Sequence, residues 1–136
     1  MKHSAAAEAF LREPNIAVLA TVDRHGHPHA TPVWYLYEGG EFTISTTRSS
    51  LKFRNITLQP AVTLVVDRRT IPYYSVVVRG VASAGTELPD DQLLGLAVHY
   101  YGDVTGREYF ERARAENEVT IRIRPHKIID YLGETT

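Results

Sequence analysis

Ile16-Ala17-Val18-Leu19-Ala20-Thr21-Val22 is a β-rich run with apolar residues on both faces, and Asp23-Arg24-His25-Gly26-His27-Pro28 follows it at once with the Gly and Pro of a hairpin loop. A second run, His29 to Tyr37, is rich in Thr, Val, Trp and Tyr. Glu38-Gly39-Gly40 turns the chain again, and Glu41 to Thr46 supplies a third strand. Strands joined by turns this short pair antiparallel, because parallel neighbours need a crossover of about a dozen residues or more. The first run is apolar on both sides, so something must cover each of its faces.

Outward from this core the pattern continues. Ala61 to Asp67 and Tyr73 to Ala84 read as two more strands, separated by Arg68-Arg69-Thr70-Ile71-Pro72, and Val119 to Arg124 alternates as a sixth, half-buried one. Helices fill the gaps. Ser4 can cap a short one running to about Arg12, before Pro14, and Ser49 or Ser50 can cap another that Pro60 ends. Pro89 opens a third, whose Leu93, Leu96, Ala97 and Tyr100 share a face. Gly102 to Gly106 breaks it before a further helical piece from about Arg107 to Glu116. Six short strands with helices collected in a few insertions predict a mainly β, six-stranded antiparallel sheet that closes or nearly closes on itself, as one domain over residues 1–136.

Composition narrows the chemistry. Of 136 residues, 43% are hydrophobic and 23% charged, which suits a folded chain with one core. A formal charge of −1 provides no global field for nucleic acid or an anionic membrane, so any anion must be met by a local cluster. Without cysteine there are no disulfides, thiolate nucleophiles, Cys-based zinc sites or iron–sulfur clusters, and redox chemistry needs a borrowed cofactor. Glu8 interrupts the amino-terminal Ala-rich stretch before an apolar signal region can build, and no apolar run is long enough for a membrane span; the expectation is a soluble cytoplasmic protein.

The local cluster is Ser45-Thr46-Thr47-Arg48-Ser49-Ser50-Leu51-Lys52-Phe53-Arg54-Asn55, a strand end running into a helix start. Its hydroxyls and the free N–H groups of the helix can donate to phosphate oxygens, and Lys52 and Arg54 can add charge-assisted bonds. Equally, the segment can be a capped surface helix with a solvated basic face, and spacing alone does not decide between the two. No Gly-x-x-x-x-Gly-Lys and no Gly-x-Gly-x-x-Gly occurs, so a phosphate site here is neither a P-loop nor a Rossmann turn. His25, His27 and His29 alternate in a loop, but with a single ligand type and a stiffening Pro28 they read as exposed turn histidines. No Ser-His-Asp or paired-carboxylate arrangement is present to support hydrolysis.

Asn15-Ile16-Ala17-Val18-Leu19-Ala20-Thr21, Gly26-His27-Pro28-His29-Ala30-Thr31-Pro32-Val33-Trp34-Tyr35, Ser50-Leu51-Lys52-Phe53-Arg54-Asn55 and Pro60-Ala61-Val62-Thr63-Leu64, in this order and spacing, resemble the pyridoxamine 5'-phosphate oxidase-like split barrels, and within them the F420-dependent oxidoreductases. The resemblance covers nearly the whole chain. It implies that Ser45, Thr46, Ser50 and Lys52, with Thr47 in the same segment, hold a cofactor phosphate, and that backbone around Pro32, Val33 and Trp34 meets the pyrimidine edge of the ring. Arg48, Lys52 and Arg54 are the candidates for a charged oligoglutamate tail, Asn55 at the end of the motif is expected among the cofactor-binding residues, and Tyr73 and Arg79 are expected to serve a partner's cofactor in a homodimer.

The resemblance thus implies an F420-dependent reductase passing a hydride to an organic substrate, with FMN as the alternative cofactor and a non-catalytic cofactor or tetrapyrrole binder as a further reading. No side chain is assigned as proton donor. True pyridoxamine phosphate oxidases end on an Arg-Leu-His-Asp-Arg type segment, whereas this chain runs Arg124-Pro125-His126-Lys127-Ile128-Ile129-Asp130-Tyr131, so vitamin B6 oxidation is not expected.

Overall fold

Seven strands and four helices follow one another as α1 (Ala5–Leu11), β1 (Ala17–Val22), β2 (Pro28–Val33), β3 (Leu36–Glu38), β4 (Glu41–Thr47), α2 (Leu51–Leu58), β5 (Ala61–Arg68), β6 (Tyr74–Ala84), α3 (Asp90–Tyr101), α4 (Asp103–Ala113) and β7 (Glu118–Leu132) in the computed structural model, which describes residues 3–85, 89–114 and 118–132. All seven strands belong to one antiparallel sheet in the order β2-β1-β5-β6-β7-β4-β3.

That order forces the sheet to roll up. β2 and β3 are its two edges, yet only Trp34 and Tyr35 separate them in the chain. Three Cα–Cα steps span at most roughly 11 Å, whereas seven strands laid flat would put the edges about 29 Å apart. The sheet therefore curls until its edges nearly meet, and the Trp34–Tyr35 bridge crosses the remaining gap. This corrects the six-strand expectation: the run His29 to Tyr37 is two strands on opposite edges.

Inside the curl, residues paired across neighbouring strands line up in rows. Leu19, Leu64, Val78 and Ile128 form one such row, and with Phe42, Ile44, Val66, Val76, Ile121 and Ile123 they make up the buried interior. The opposite face carries a second row, Pro32, Val18, Val65, Val77 and Ile129, which is half-buried or exposed within one chain.

β7 is longer than the six-residue alternating run Val119 to Arg124. Pro125 lacks the N–H a ladder needs, and its place is a register shift opposite Arg79 and Gly80. A Cβ on Gly80 would lie 2.7 Å from the Arg124 carbonyl oxygen, so the strands approach this closely only because that residue is glycine.

α3 and α4 form a helical hairpin with its own small cluster, Leu93, Ala97, Phe110 and Ala113. Gly106 lies inside α4 and not in a break, as the sequence had indicated, because a Cβ there would sit 2.6 Å from the Val98 Cα of α3. The helices pack backbone to backbone at that point. The far end of the piece expected to reach Glu116 lies outside the described residues. Among the described residues no helix is long and apolar enough to cross a membrane.

Candidate functional site

Where the two sheet edges approach, a cavity of about 290 Å³ opens. Pro32, Val33 and Trp34 bound it from the end of β2 and the bridge, Ser45 from β4, Lys52 from α2 and Glu118 from the start of β7. Leu93, Leu96, Ala97 and Tyr101 of α3 and Tyr109 of α4 close the opposite wall, with Ile16 at the margin.

The bridge that shapes this gap is pinned by Tyr100. Its hydroxyl donates to the Asn15 carbonyl oxygen at 2.7 Å and accepts the Tyr35 N–H at 3.1 Å, so one side chain of α3 ties the bridge to the segment before β1. Burial pushes the Tyr100 phenol up to about 12, against the lowering by its backbone bond, so it stays protonated and able to donate. Trp34 lies stacked on Tyr100, with Tyr101 edge-on at 4.8 Å and Tyr109 tilted at 5.2 Å. Trp34 is thus packed against three tyrosines, and with Tyr101 and Tyr109 it gives an aromatic lining to a cavity whose helical wall is otherwise aliphatic.

The opposite end is polar. Ser50 is the cap of α2, its Oγ accepting the Phe53 N–H at 3.2 Å, and Thr46 Oγ1 donates to that same Oγ at 3.0 Å. Ser45, on the outward face of β4, donates to Glu118 Oε2. Lys52 is half-buried and, among the described residues, has no hydrogen bond or ion pair.

The cavity thus brings together five of the residues singled out from the sequence: Pro32, Val33, Trp34, Ser45 and Lys52. Ser50 and Thr46 stand behind them as the cap and its support. Thr47 shares a hydroxyl contact with Ser49 at 3.4 Å, and Arg48 and Arg54 are exposed outside the cavity lining. Asn55 is turned inward instead. It is 2% exposed and donates to Thr21 Oγ1 at 3.0 Å, a tie between α2 and β1 that leaves it no access to a ligand. Tyr73 lines a different cavity with Arg68, Arg69 and Tyr74, and Arg79 lines another, on the second face of the sheet, with Ala20, Thr63 and His126.

The sequence leaves Tyr101 open between stacking on a flat ring and simple packing, and gives no sign of Tyr109, Glu118 or the aliphatic face of α3 as cavity walls. Leu93, Leu96 and Ala97 carry the right spacing, but the same spacing marks any core-facing helix. Glu118 could not be placed before β7 was known to begin there, one position ahead of the alternating run. In the loop after β1, the Asp23 carboxylate accepts the N–H groups of His25 and His27 and is lowered chiefly by the latter bond. Among the described residues no three metal-ligating side chains converge.

A half-buried lysine of a helix's first turn, without a bonded partner among the described residues and lining the same cavity as a serine hydroxyl, is a donor set suited to a phosphate, and the aromatic lining of Trp34, Tyr101 and Tyr109 suits a flat ring. The sequence profile of the pyridoxamine 5'-phosphate oxidase family matches residues 4–131. Over 73 residues the chain is 42% identical to a pyridoxine/pyridoxamine 5'-phosphate oxidase of Anaplasma phagocytophilum (strain HZ), a stretch covering 53% of this chain but only 35% of that protein. The chain therefore matches about a third of that curated relative's length.

Among solved structures, an F420 reductase superposes with a TM-score of 0.73 at 26% identity, covering 90% of this chain and 94% of its own. A conserved hypothetical protein from Mycobacterium tuberculosis gives 0.76 at 24% identity, covering 97% of this chain and 86% of its own. A heme storage protein from Vibrio cholerae gives 0.72 at 15% identity, covering 98% of each chain. At these last two identities the likeness is one of fold.

Proposed function

Because the chain belongs to the pyridoxamine 5'-phosphate oxidase family of flavin- and deazaflavin-type oxidoreductases with the split-barrel fold, we propose that it is a cytoplasmic F420-dependent reductase. The observation that carries this reading is Lys52, half-buried and without a bonded partner among the described residues, which lines the same cavity as Ser45, Glu118, Trp34 and the apolar face of a helical hairpin. When bound, the reduced deazaflavin supplies the hydride that passes to an organic substrate.

The chain's own residues bind and orient. Lys52 and Ser45 meet the phosphate, with Ser50 and Thr46 fixing the helix start behind them and Thr47 extending the hydroxyl cluster. Backbone at Pro32, Val33 and Trp34 faces the ring edge. Arg48 and Arg54, exposed beside this end, are placed to meet a charged tail. Leu93, Leu96 and Ala97 exclude water from the reacting face.

The proposal includes a homodimer. The row Pro32, Val18, Val65, Val77 and Ile129 leaves a continuous apolar strip across five strands that one chain does not cover. A second copy seated there would bring Tyr73 and Arg79 toward its partner's cofactor. A cavity of about 290 Å³ is also at the small end of the roughly 300–1,000 Å³ that enclose a ligand of drug size, which favours completion by a second chain.

FMN is the second reading, since a ring edge and a phosphate would meet the same groups. Parallel titration of cofactor-free protein with F420 and FMN, followed by ligand fluorescence and thermal stabilisation, tests both. Selective F420 binding supports the deazaflavin reductase; selective FMN binding replaces it with a flavin enzyme; binding of neither removes the oxidoreductase reading.

A further inference from the structure

One group in the cavity opposes the phosphate it is proposed to hold. Glu118 opens β7 opposite Thr47, and its carboxylate reaches diagonally to Ser45 on the neighbouring strand, where Oε2 accepts the Ser45 hydroxyl proton. Glu118, Ser45 and Lys52 all line the same cavity. A serine hydroxyl has one proton to donate, and a carboxylate can only accept. While Glu118 holds Ser45, that hydroxyl is not available to another anion. A phosphate entering beside the carboxylate also meets like charge, with Lys52 the single cation among the described lining residues to offset it.

We propose that Glu118 is an internal anion that occupies the Ser45 hydroxyl in the free protein and yields it when a phosphate-bearing ligand binds. It thereby sets the affinity of the site and favours release of the ligand, whereas Lys52 and Ser45 set where the phosphate lies. The inference rests on the phosphate end of the reading above and not on which ring is attached.

Its consequence has a direction opposite to that of an ordinary binding residue: removing the side chain's charge strengthens binding. Glu118→Gln keeps the shape and an acceptor for Ser45 but loses the charge, and Glu118→Ala removes the acceptor as well. The full chain and both variants are titrated with FMN and F420, which carry the phosphate, and with riboflavin, which carries a ring without one. Thermal stabilisation by inorganic phosphate is followed in parallel.

The expected result is a tightening of about tenfold or more for FMN or F420 in Glu118→Gln, with riboflavin changed by less than about twofold, and Glu118→Ala shifting the same way. Unchanged or weaker binding of the phosphate-bearing ligands in both variants overturns the proposal, as does an equal gain for riboflavin. If neither ring binds, the cofactor reading fails by itself, and the inorganic phosphate arm still decides. Greater stabilisation of the variants than of the wild type supports the role of Glu118, and an equal or absent response overturns it.

Discussion

The indole of Trp34 lies on the ring of Tyr100 with centroids 4.8 Å apart and planes 8° from parallel. The same tyrosine's hydroxyl is bonded to the backbone of Tyr35 in the bridge and of Asn15 before β1, so one residue both supports the indole and fixes the crossing between sheet edges. Tyr100→Phe keeps the stack and deletes the clamp, leaving the Tyr35 N–H and Asn15 carbonyl without it. The expected cost is about 1 to 2 kcal/mol, read by denaturant unfolding, together with a loosened site seen as a loss of cofactor affinity. A variant as stable as wild type would remove the clamp from this account.

Lys52→Ala and Asn55→Ala separate binding from folding. The Lys52 side chain has no bond to any of the described residues, so its loss leaves the melting temperature within about a degree and weakens cofactor binding by roughly tenfold or more, the size of one charge-assisted hydrogen bond. Asn55→Ala leaves the buried Thr21 hydroxyl without its donor and costs about 1 to 3 kcal/mol of stability. A binding loss in Asn55→Ala larger than in Lys52→Ala, at equal folded fraction, would reverse the assignment.

Gly106→Val tests the helical hairpin. Its Cβ would enter the space of the Val98 backbone, where no side-chain rotation relieves the contact. Separation of α3 from α4 is expected to cost about 1 to 3 kcal/mol, and to weaken ligands that touch Tyr101 or Tyr109 more than inorganic phosphate. Comparison of the two ligands by thermal shift is the check.

Acid should act through Glu8. Bonds from His3 and Tyr37, then Arg12, hold its carboxyl at about 2 instead of the usual 4.5. A depressed carboxyl contributes stability that is complete above about pH 4.5 and is lost as pH falls toward about 2. Tyr37→Phe, which removes the 2.7 Å bond to Glu8, should cost about 1 kcal/mol at pH 7. Its stability should then converge on that of the wild type between pH 4.5 and pH 2. Parallel unfolding curves at each pH would show convergence, and a constant gap would rule out this linkage.

Much of the fold is legible locally. The Ser4 and Ser50 caps, the turn at Gly39–Gly40 and the alternation of β4 each follow from residues within a few positions. What is not legible depends on distant partners. From His29 to Tyr37 only Pro32 argues against a strand, and it sits on the edge strand β2, where a proline is tolerated; the break at Trp34–Tyr35 arises because the chain leaves one sheet edge for the other. Pro125 argues locally against a strand, and only Gly80 on the facing strand makes its place acceptable. The site divides the same way. Ser45 and Lys52 are recognisable by type and position, whereas Glu118 and Tyr109 enter it through packing alone.

The cluster Leu93, Ala97, Phe110 and Ala113 is separate from the barrel's interior. The molecule thereby divides its sequence between two tasks under different rules. Changes along the Leu19–Leu64–Val78–Ile128 row are answerable to the whole sheet, while changes at Leu93, Leu96 or Tyr109 are answerable to two helices and whatever lies against them. If the cavity is the ligand site proposed above, a lineage can revise which molecules it accepts at Leu93, Leu96 and Tyr109 while leaving the sheet's interior rows untouched, and a combinatorial library aimed at new ligands belongs at those positions.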